Sequence, residues 1–381
     1  MFRIFSRYTF AAMLSPKEIL FVIFLSALSV DLFYYLLFFA RFAFYKPKNQ
    51  TIINEGVSVV ICARNEAENL LEFLPKIFDQ QYKNFEVIIV NDCSLDDTED
   101  VLRAFKHKHR NCKIVMLKEN DLFIGGKKFA ITMGIKAAKN DIVLFTDADC
   151  YPASEHWIEE FAKNFGNTEI VLGYGGYKKE KSFLNKIIRF DAFLIGLKSL
   201  SFALAGMPYM GVGRNLAYRK TLFFRNKGFA AHQHLPYGDD DLFVNQTASK
   251  SNTKIIACAD ASTISVPEKN FYDWVKQKKR HFRTSPFYKF HHQILLMLQP
   301  ASHMIFVGSL LALLLLNYNI GLIAGIFFAR MLLQILIFHN AMKKTGDKDL
   351  LFLSPVLDLI LLFLSPAILF SGLMMKNKKP I

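Results

Sequence analysis

Asp147-Ala148-Asp149 follows an apolar run, Asp141–Phe145 (DIVLF). On a strand, side chains two residues apart point to the same face, so at the strand's end both carboxylates can face one ligand. Two carboxylates facing one point repel unless a cation lies between them. A hard, oxygen-seeking divalent metal, Mg²⁺ or Mn²⁺, suits such a pair, with diphosphate oxygens completing its shell. It would neutralise the charge of a departing nucleotide diphosphate. A lone D-x-D also occurs in surface turns, so its weight comes from its surroundings. Asn91-Asp92 closes another apolar run, Glu86–Val90 (EVIIV). Asp92 suits hydrogen bonds from a base or ribose, while Asp97 and Thr98 suit the cap of the next helix.

The elements that must position these residues are short apolar runs separated by helical stretches. Val57–Cys62 (VSVVIC), Glu86–Val90, Lys113–Leu117 and Asp141–Phe145 read as strands, and a helix with Leu70, Leu71 and Leu74 follows the first. Continuous apolar strands with helical crossovers imply an α/β domain whose mostly parallel sheet is covered on both faces. Ligands of such sheets bind beyond the carboxyl ends of the strands. Those ends carry Arg64, Asn65 and Glu66, then Asn91 and Asp92, then Asp147 and Asp149. A merely solvated edge would not repeat carboxylates at three strand ends.

Apolar runs flank this domain. Ile19–Ala40 is long enough for a spanning helix and exceeds the core of a usual signal peptide. Pro300–Leu316 and Ile320–His339 are two further runs, split by Asn317, Tyr318 and Asn319, and Leu350–Leu373 is another. The basic loop Lys343–Lys348 belongs on the cytoplasmic side with the middle domain. That topology leaves Arg3, Arg7 and Lys17 outside, and a full final span would add Lys376, Lys378 and Lys379. The last run is therefore either a span or a re-entrant hairpin. Asp31, Arg330 and Asp358 lie within apolar runs and are expected to form a single interhelical ion pair; a polar lining for a headgroup or sugar is the alternative. The division expected is residues 1–41 as membrane anchor, 42–55 as connector, 56–290 as cytoplasmic catalytic domain with interfacial helices, and 291–381 as two or three membrane spans.

The chain has 381 residues, and 47 Lys+Arg against 33 Asp+Glu give a net charge of +14. With 52% hydrophobic residues it is not a disordered chain. No basic patch interleaved with aromatics lies outside the membrane-flanking region, so nucleic acid is excluded as a partner. Neither a P-loop nor a G-x-G-x-x-G follows the first strand, which excludes a P-loop ATPase and a dinucleotide-binding dehydrogenase. Cys62, Cys93, Cys112, Cys150 and Cys258 show no C-x-x-C pair and read as reduced thiols.

Taken together, VSVVICARNEAENL, EVIIVNDCSLDDT and IVLFTDADC resemble the signature segments of membrane-bound family 2 glycosyltransferases with the GT-A nucleotide-diphospho-sugar fold. The resemblance covers about Gly56 to Arg283. It implies that Arg64, Glu66, Asp92, Lys127 and Asp147 contact the nucleotide-sugar and that Asp149, with Asp147, holds the metal. Thr132 stands where many members have Asn. Gly238-Asp239-Asp240-Asp241-Leu242 resembles the segment that supplies the catalytic base, in a register that selects either Asp240 or Asp239. Gln277-Lys278-Lys279-Arg280-His281 resembles the Q-x-x-R-W segment at the acceptor, with Arg280 available to clamp the diphosphate. His281 replaces the indole and removes a stacking surface for a sugar. Phe183–Ala205 resembles an interfacial helix beside the acceptor site. In Gly211-Val212-Gly213-Arg214-Asn215-Leu216, the glycines would let an acceptor approach the backbone.

The expected protein is a membrane-anchored, metal-assisted, inverting glycosyltransferase of hexosyltransferase type. Its donor is a nucleotide-diphospho-sugar, UDP-sugar first, and its acceptor a lipid-linked or glycan molecule at the membrane. A processive polysaccharide synthase and a non-enzymatic membrane scaffold with a degenerate domain are the alternatives. The intact acids argue against the scaffold.

Overall fold

The computed structural model describes residues 15–47, 54–118 and 126–375, with side chains to 371. Arg3, Arg7, Lys376, Lys378 and Lys379, weighed above for topology, lie outside the described residues, as do positions 48–53 of the connector. All five cysteines are free thiols.

Four parallel strands form the first half of the main sheet: β1 (Val57–Ala63), β2 (Phe85–Asp92), β3 (Cys112–Leu117) and β4 (Ile142–Asp147). They fall on the expected runs, with β2 and β4 each two residues longer at the carboxyl end because Asn91 and Asp92 still pair with β3, and Thr146 and Asp147 with β1. Next in the chain come β5 (Cys150–Pro152), β6 (Ile170–Leu172), β7 (Gly175–Tyr177), β8 (Leu216–Arg219), β9 (Thr253–Ile255) and β10 (Thr263–Ser265). The main sheet has the order β3-β2-β1-β4-β8-β6-β9, and β5-β10-β7 form a small second sheet. β8 runs antiparallel to both β4 and β6.

Both faces of the main sheet are buried, as continuous apolar strands require. Val57, Val59 and Ile61 pack with Leu70, Leu74, Trp157 and Phe161 on one side. The alternate residue Val60, with Ile88, Val90 and Phe145, packs on the other side with Ala130 and Ile135. That second cluster continues through Phe193 and Phe202 to Phe38 and Phe338, joining the sheet domain to the apolar helices.

Among the described residues, four helices are long and apolar enough to cross a membrane: Pro16–Ala43, Phe290–Leu315, Ile320–Thr345 and Lys348–Ser371. The first begins in a capping box between Ser15 and Glu18 and contains a π-turn over Tyr35–Phe39. The second starts at Phe290, ten residues before the expected Pro300. Its first turn holds His291, His292 and Gln293, whose polarity hid it from the apolar run, and Pro300 is tolerated inside it. In the fourth, a 3₁₀ segment over Lys348–Leu353 leads into the helix Ser354–Met375, so Pro355 lies in a first turn and does not interrupt a run.

The expected single intramembrane ion pair is corrected to a network using all four helices. Asp31 meets Arg330 at 3.1 Å and His303 Nδ1 at 3.0 Å. His303 Nε2 lies 3.3 Å from Asp358, which also accepts from Gln334 at 2.9 Å. One carboxylate cannot satisfy a guanidinium and an imidazole out of water, so the ionisable groups gather at one level.

The helix Phe183–Leu204 lies between the sheet domain and the apolar helices, with most of its residues buried. Its Arg189 bonds Asp347 at 2.8 Å and Asp349 at 2.7 and 2.8 Å. Tyr174 Oη also donates to Asp347 at 2.8 Å. The loop between the third and fourth helices is thereby fastened to the sheet domain and lies on its side of the bundle.

Candidate active site

Parallel pairing aligns β1 with β2 and β4 in register, Cys62 opposite both Val90 and Asp147, so their polar termini share one edge. The loops after β1 and β2 interlock. Asn65, at φ 57°, donates its backbone N–H to Ser94 Oγ at 2.9 Å and accepts from Leu95 N at 2.8 Å. The expected cap by Asp97 and Thr98 is corrected: Asp96 Oδ1 accepts from Thr98 N at 3.1 Å, while Thr98 Oγ1 accepts from Glu66 N at 3.0 Å. Asp97 makes no side-chain cap bond. This clamp sets Glu66, half-buried and bonded by Asn69 at 2.6 Å, facing the β4 acids. Burial raises the Glu66 carboxyl, and the charges of Asp149 and Asp147 add to the rise. Arg64 on the same loop is exposed.

Asp92 is buried, and its two oxygens accept from Gly126 N at 3.3 and 3.2 Å. That contact anchors the helix Lys127–Ala137. Lys127 Nζ then reaches Asp147 at 2.9 Å and Asp239 at 3.6 Å. Although burial opposes it, the carboxylates of Asp147, Asp239 and Asp240 hold this amine well above the usual lysine range. Thr132 takes no part: its hydroxyl donates to Lys128 O at 2.7 Å.

Asp147 and Asp149 differ in state. Burial would raise Asp147, but Lys127 overrides it and holds the carboxyl below its usual range. Asp149 is raised by burial and by the charge of Asp147. Their carboxylates and the Cys150 thiol offer ligand atoms within 4.8 Å of one another. The donor set therefore fits a hard divalent cation: two converging carboxylates, one of them short of positive charge. Cys150 is buried and meets Asp149 Oδ1 at 3.1 Å and Ser265 Oγ at 2.8 Å.

The acids after β8 close the site. Asp239, Asp240, Lys127 and Asp147 line one open cleft of about 340 Å³, floored by Cys62 and Tyr218. Both oxygens of Asp240 are fixed by backbone, Oδ1 by Asp241 N and Oδ2 by Gly213 N, each at 2.7 Å. A Cβ at Gly213 would lie 3.1 Å from Asp240 Oδ2, close enough that the carboxylate would have to shift by a few tenths of an ångström to admit it. Burial and the adjacent Asp241 push the Asp240 carboxyl up to about 6. Asp241 turns away from the cleft, bonding Thr284 and, at 2.7 Å, Tyr288 Oη.

Of the residues expected at the acceptor, Gln277 accepts from Tyr177 Oη at 3.3 Å, and Tyr177 accepts from Arg214 at 3.1 Å. The Arg214 guanidinium stacks over the Tyr177 ring at 4.3 Å. It is close enough to Asp147 and Asp149 to favour their ionised forms. Arg280 and His281 are exposed, and Arg280 makes no hydrogen bond or ion pair among the described residues. Arg214 and Tyr177 were not singled out from the sequence. Arg214 lies in the glycine-bearing segment noted there, but that segment's contribution is the Gly213 N–H and the Arg214 cation.

Residues 58–224 match the family model described as glycosyl transferase family 2. The chain is 33% identical over 172 residues to the poly-β-1,6-N-acetyl-D-glucosamine synthase of Staphylococcus epidermidis, covering 44% of this chain and 40% of that protein. It is 34% identical over 157 residues to the synthase of the same name from Staphylococcus aureus strain COL, covering 40% and 36% of the two. The alignment thus spans well under half the length of these curated relatives. Among solved structures, the mannosyltransferase PcManGT from Pyrobaculum calidifontis, in complex with GDP-Man and Mn²⁺, aligns over 90% of this chain and 98% of its own with a TM-score of 0.56 at 19% identity. That likeness identifies the fold as GT-A. Asp239, Asp240, Gln277, Arg280 and His281 lie beyond the family-model match.

Proposed function

We propose that this chain, which carries a family 2 glycosyltransferase domain on a GT-A scaffold beside four helices of membrane-spanning length, transfers a sugar from a nucleotide-diphospho-sugar to an acceptor at the membrane with inversion. The observation that carries the reading is one cleft shared by Lys127, Asp147, Asp239 and Asp240 at the carboxyl ends of parallel strands. Glu66 and Asp92, with Arg64, hold the nucleoside. Gln277, Arg280 and His281 face the diphosphate and acceptor. Asp149 and Asp147 would hold the divalent metal, Mg²⁺ or Mn²⁺, which when bound offsets charge on the departing diphosphate. The mannosyltransferase of like fold was captured with Mn²⁺, which supports a metal here.

Asp240 acts as the base. It takes the proton of the acceptor hydroxyl as that oxygen bonds to the anomeric carbon. The bond from that carbon to the diphosphate oxygen breaks, and its electron pair leaves with the nucleoside diphosphate. Lys127 supplies positive charge beside the leaving group. Asp240 is preferred to Asp239 because two backbone N–H groups fix its carboxylate, while Asp239 faces the Lys127 amine. The sheet domain works on the cytoplasmic side, where the basic loop beside Asp347 also lies.

A processive polysaccharide synthase is the second reading, favoured by the names of the curated relatives. His281 in place of an indole weighs towards addition of one or a few sugars. Product sizing after incubation with donor and membrane lipid extract tests both. Short products of inverted anomeric configuration, absent with Asp240→Asn, support the first reading; long polymer supports the second.

A further inference from the structure

Asp240 can serve as base only while its carboxylate stays aimed, and one of its two backbone bonds comes from Gly213 N at 2.7 Å. Gly213–Asn215 is one 3₁₀ turn that leads into β8. It is closed by Asn215 N donating to Val212 O at 2.8 Å. So short a 3₁₀ piece has poor hydrogen-bond geometry and does not hold itself. Groups outside the turn must fix it.

Asn215 collects them. It is fully buried. Its Oδ1 accepts from Trp157 Nε1 at 2.8 Å, and its Nδ2 donates to Tyr174 O at 2.7 Å and to Ala261 O at 2.9 Å. An indole N–H only donates and a carbonyl only accepts, so these partners fix which way the amide points. They come from three elements far apart in the chain: the helix Trp157–Ala162, the link between β6 and β7, and the turn Ala259–Ala261. The main chain of the turn is held as well. Gly173 N donates to Asn215 O at 3.0 Å, and Thr263 Oγ1 on β10 donates to Arg214 O at 2.8 Å. Packing leaves no slack, since a Cβ at Gly173 would lie 2.5 Å from Asn215 Nδ2. Leaving any of these buried groups unpaired is costly, so the turn keeps one position. The two residues before Asn215 are the ones that serve the cleft: Gly213 through its N–H on Asp240, and Arg214 through its charge on Asp147 and Asp149.

We infer that Asn215, with Thr263, is a positioning residue for sugar transfer, holding the Gly213–Asn215 turn so that the Gly213 N–H aims the Asp240 carboxylate. This role rests on Asp240 being the base, and one experiment separates the two. The full chain in detergent is assayed for nucleoside-diphosphate release across pH 4.5–8.5, with donor affinity from calorimetry, as wild type, Asn215→Leu, Thr263→Val and Asp240→Asn. Asn215→Leu and Thr263→Val alter no charge. The titratable groups around Asp240, namely Asp147, Asp239, Asp241, Lys127, Tyr218 and Cys62, all stay. The Gly213 N–H favours the ionised carboxylate, so a loosened turn raises the Asp240 carboxyl and moves the acid limb to higher pH. In Asn215→Leu, kcat should fall by roughly tenfold to a hundredfold with donor affinity nearly unchanged. Thr263→Val keeps the branched shape, should show the same changes more weakly, and serves if Asn215→Leu does not fold. If the wild type has a limb that Asp240→Asn abolishes but the folded variants leave it unmoved, the base assignment stands and the positioning role is overturned. Donor affinity falling in step with kcat, with the limb in place, overturns it too. If the wild type has no limb that depends on Asp240, the base assignment fails and the positioning role with it.

Discussion

The state of Asp240 sets a pH limb that can be worked out in advance. Its carboxyl is raised to about 6 by burial and by Asp241, so the base is lost by protonation as pH falls through that value. For a single base titrating near 6, the active fraction is roughly one-eleventh at pH 5 and roughly ten-elevenths at pH 7, about a tenfold change in kcat/KM. The assay is initial-rate nucleoside-diphosphate release at low donor concentration across pH 4.5–8.5, with saturating metal. Asp240→Asn should lower the rate by about 10² to 10⁴ and abolish the limb. Asp239→Asn should leave a limb near 6, since its carboxylate pairs with Lys127 instead. A profile flat from pH 5 to 8, or a limb lost with Asp239→Asn and kept with Asp240→Asn, would refute the assignment of the base.

Three further outcomes are expected. Gly213→Ala puts a Cβ 3.1 Å from Asp240 Oδ2 and should lower kcat by roughly tenfold to a hundredfold with donor affinity nearly unchanged, as expected for a displaced catalytic group; calorimetry and kinetics together check the split. Arg189→Met leaves Asp347 buried without its cation and should cost about 3 kcal/mol, read as a lowered melting temperature. Arg189→Lys should recover only part of that, because an ammonium cannot fork to both Asp347 and Asp349. Asp31→Leu strands the Arg330 guanidinium and should destabilise by about 3–5 kcal/mol, while Asp31→Leu with Arg330→Leu should regain much of the loss.

The parallel half of the sheet was legible because its strands are apolar runs, two of which, β2 and β4, end in acids. Asp92, Asp147 and Asp149 mark strand ends in the sequence and lie at one edge in the structure. β6, β8 and β9 were not legible, since strands of three or four residues carry no periodicity to read. The Arg214–Tyr177–Gln277 chain joins residues up to 100 positions apart, and only the fold brings them together. Gly213 was noted for its freedom, yet its contribution is a backbone N–H, which no side-chain pattern reveals. In the apolar helices, Asp31, Arg330 and Asp358 are visible as outliers, but His303 and Gln334 join them only because helix packing sets them beside the acids.

Sugar transfer from a nucleotide-diphospho-sugar is read most simply as release of the nucleoside diphosphate. The full chain in detergent, with membrane lipid extract, would be given UDP-, GDP- and dTDP-sugars with Mn²⁺ or with EDTA. One donor should release its diphosphate, dependent on the metal and not in Asp149→Ala. If no donor releases its diphosphate and calorimetry finds none that binds, the protein is not a nucleotide-sugar transferase.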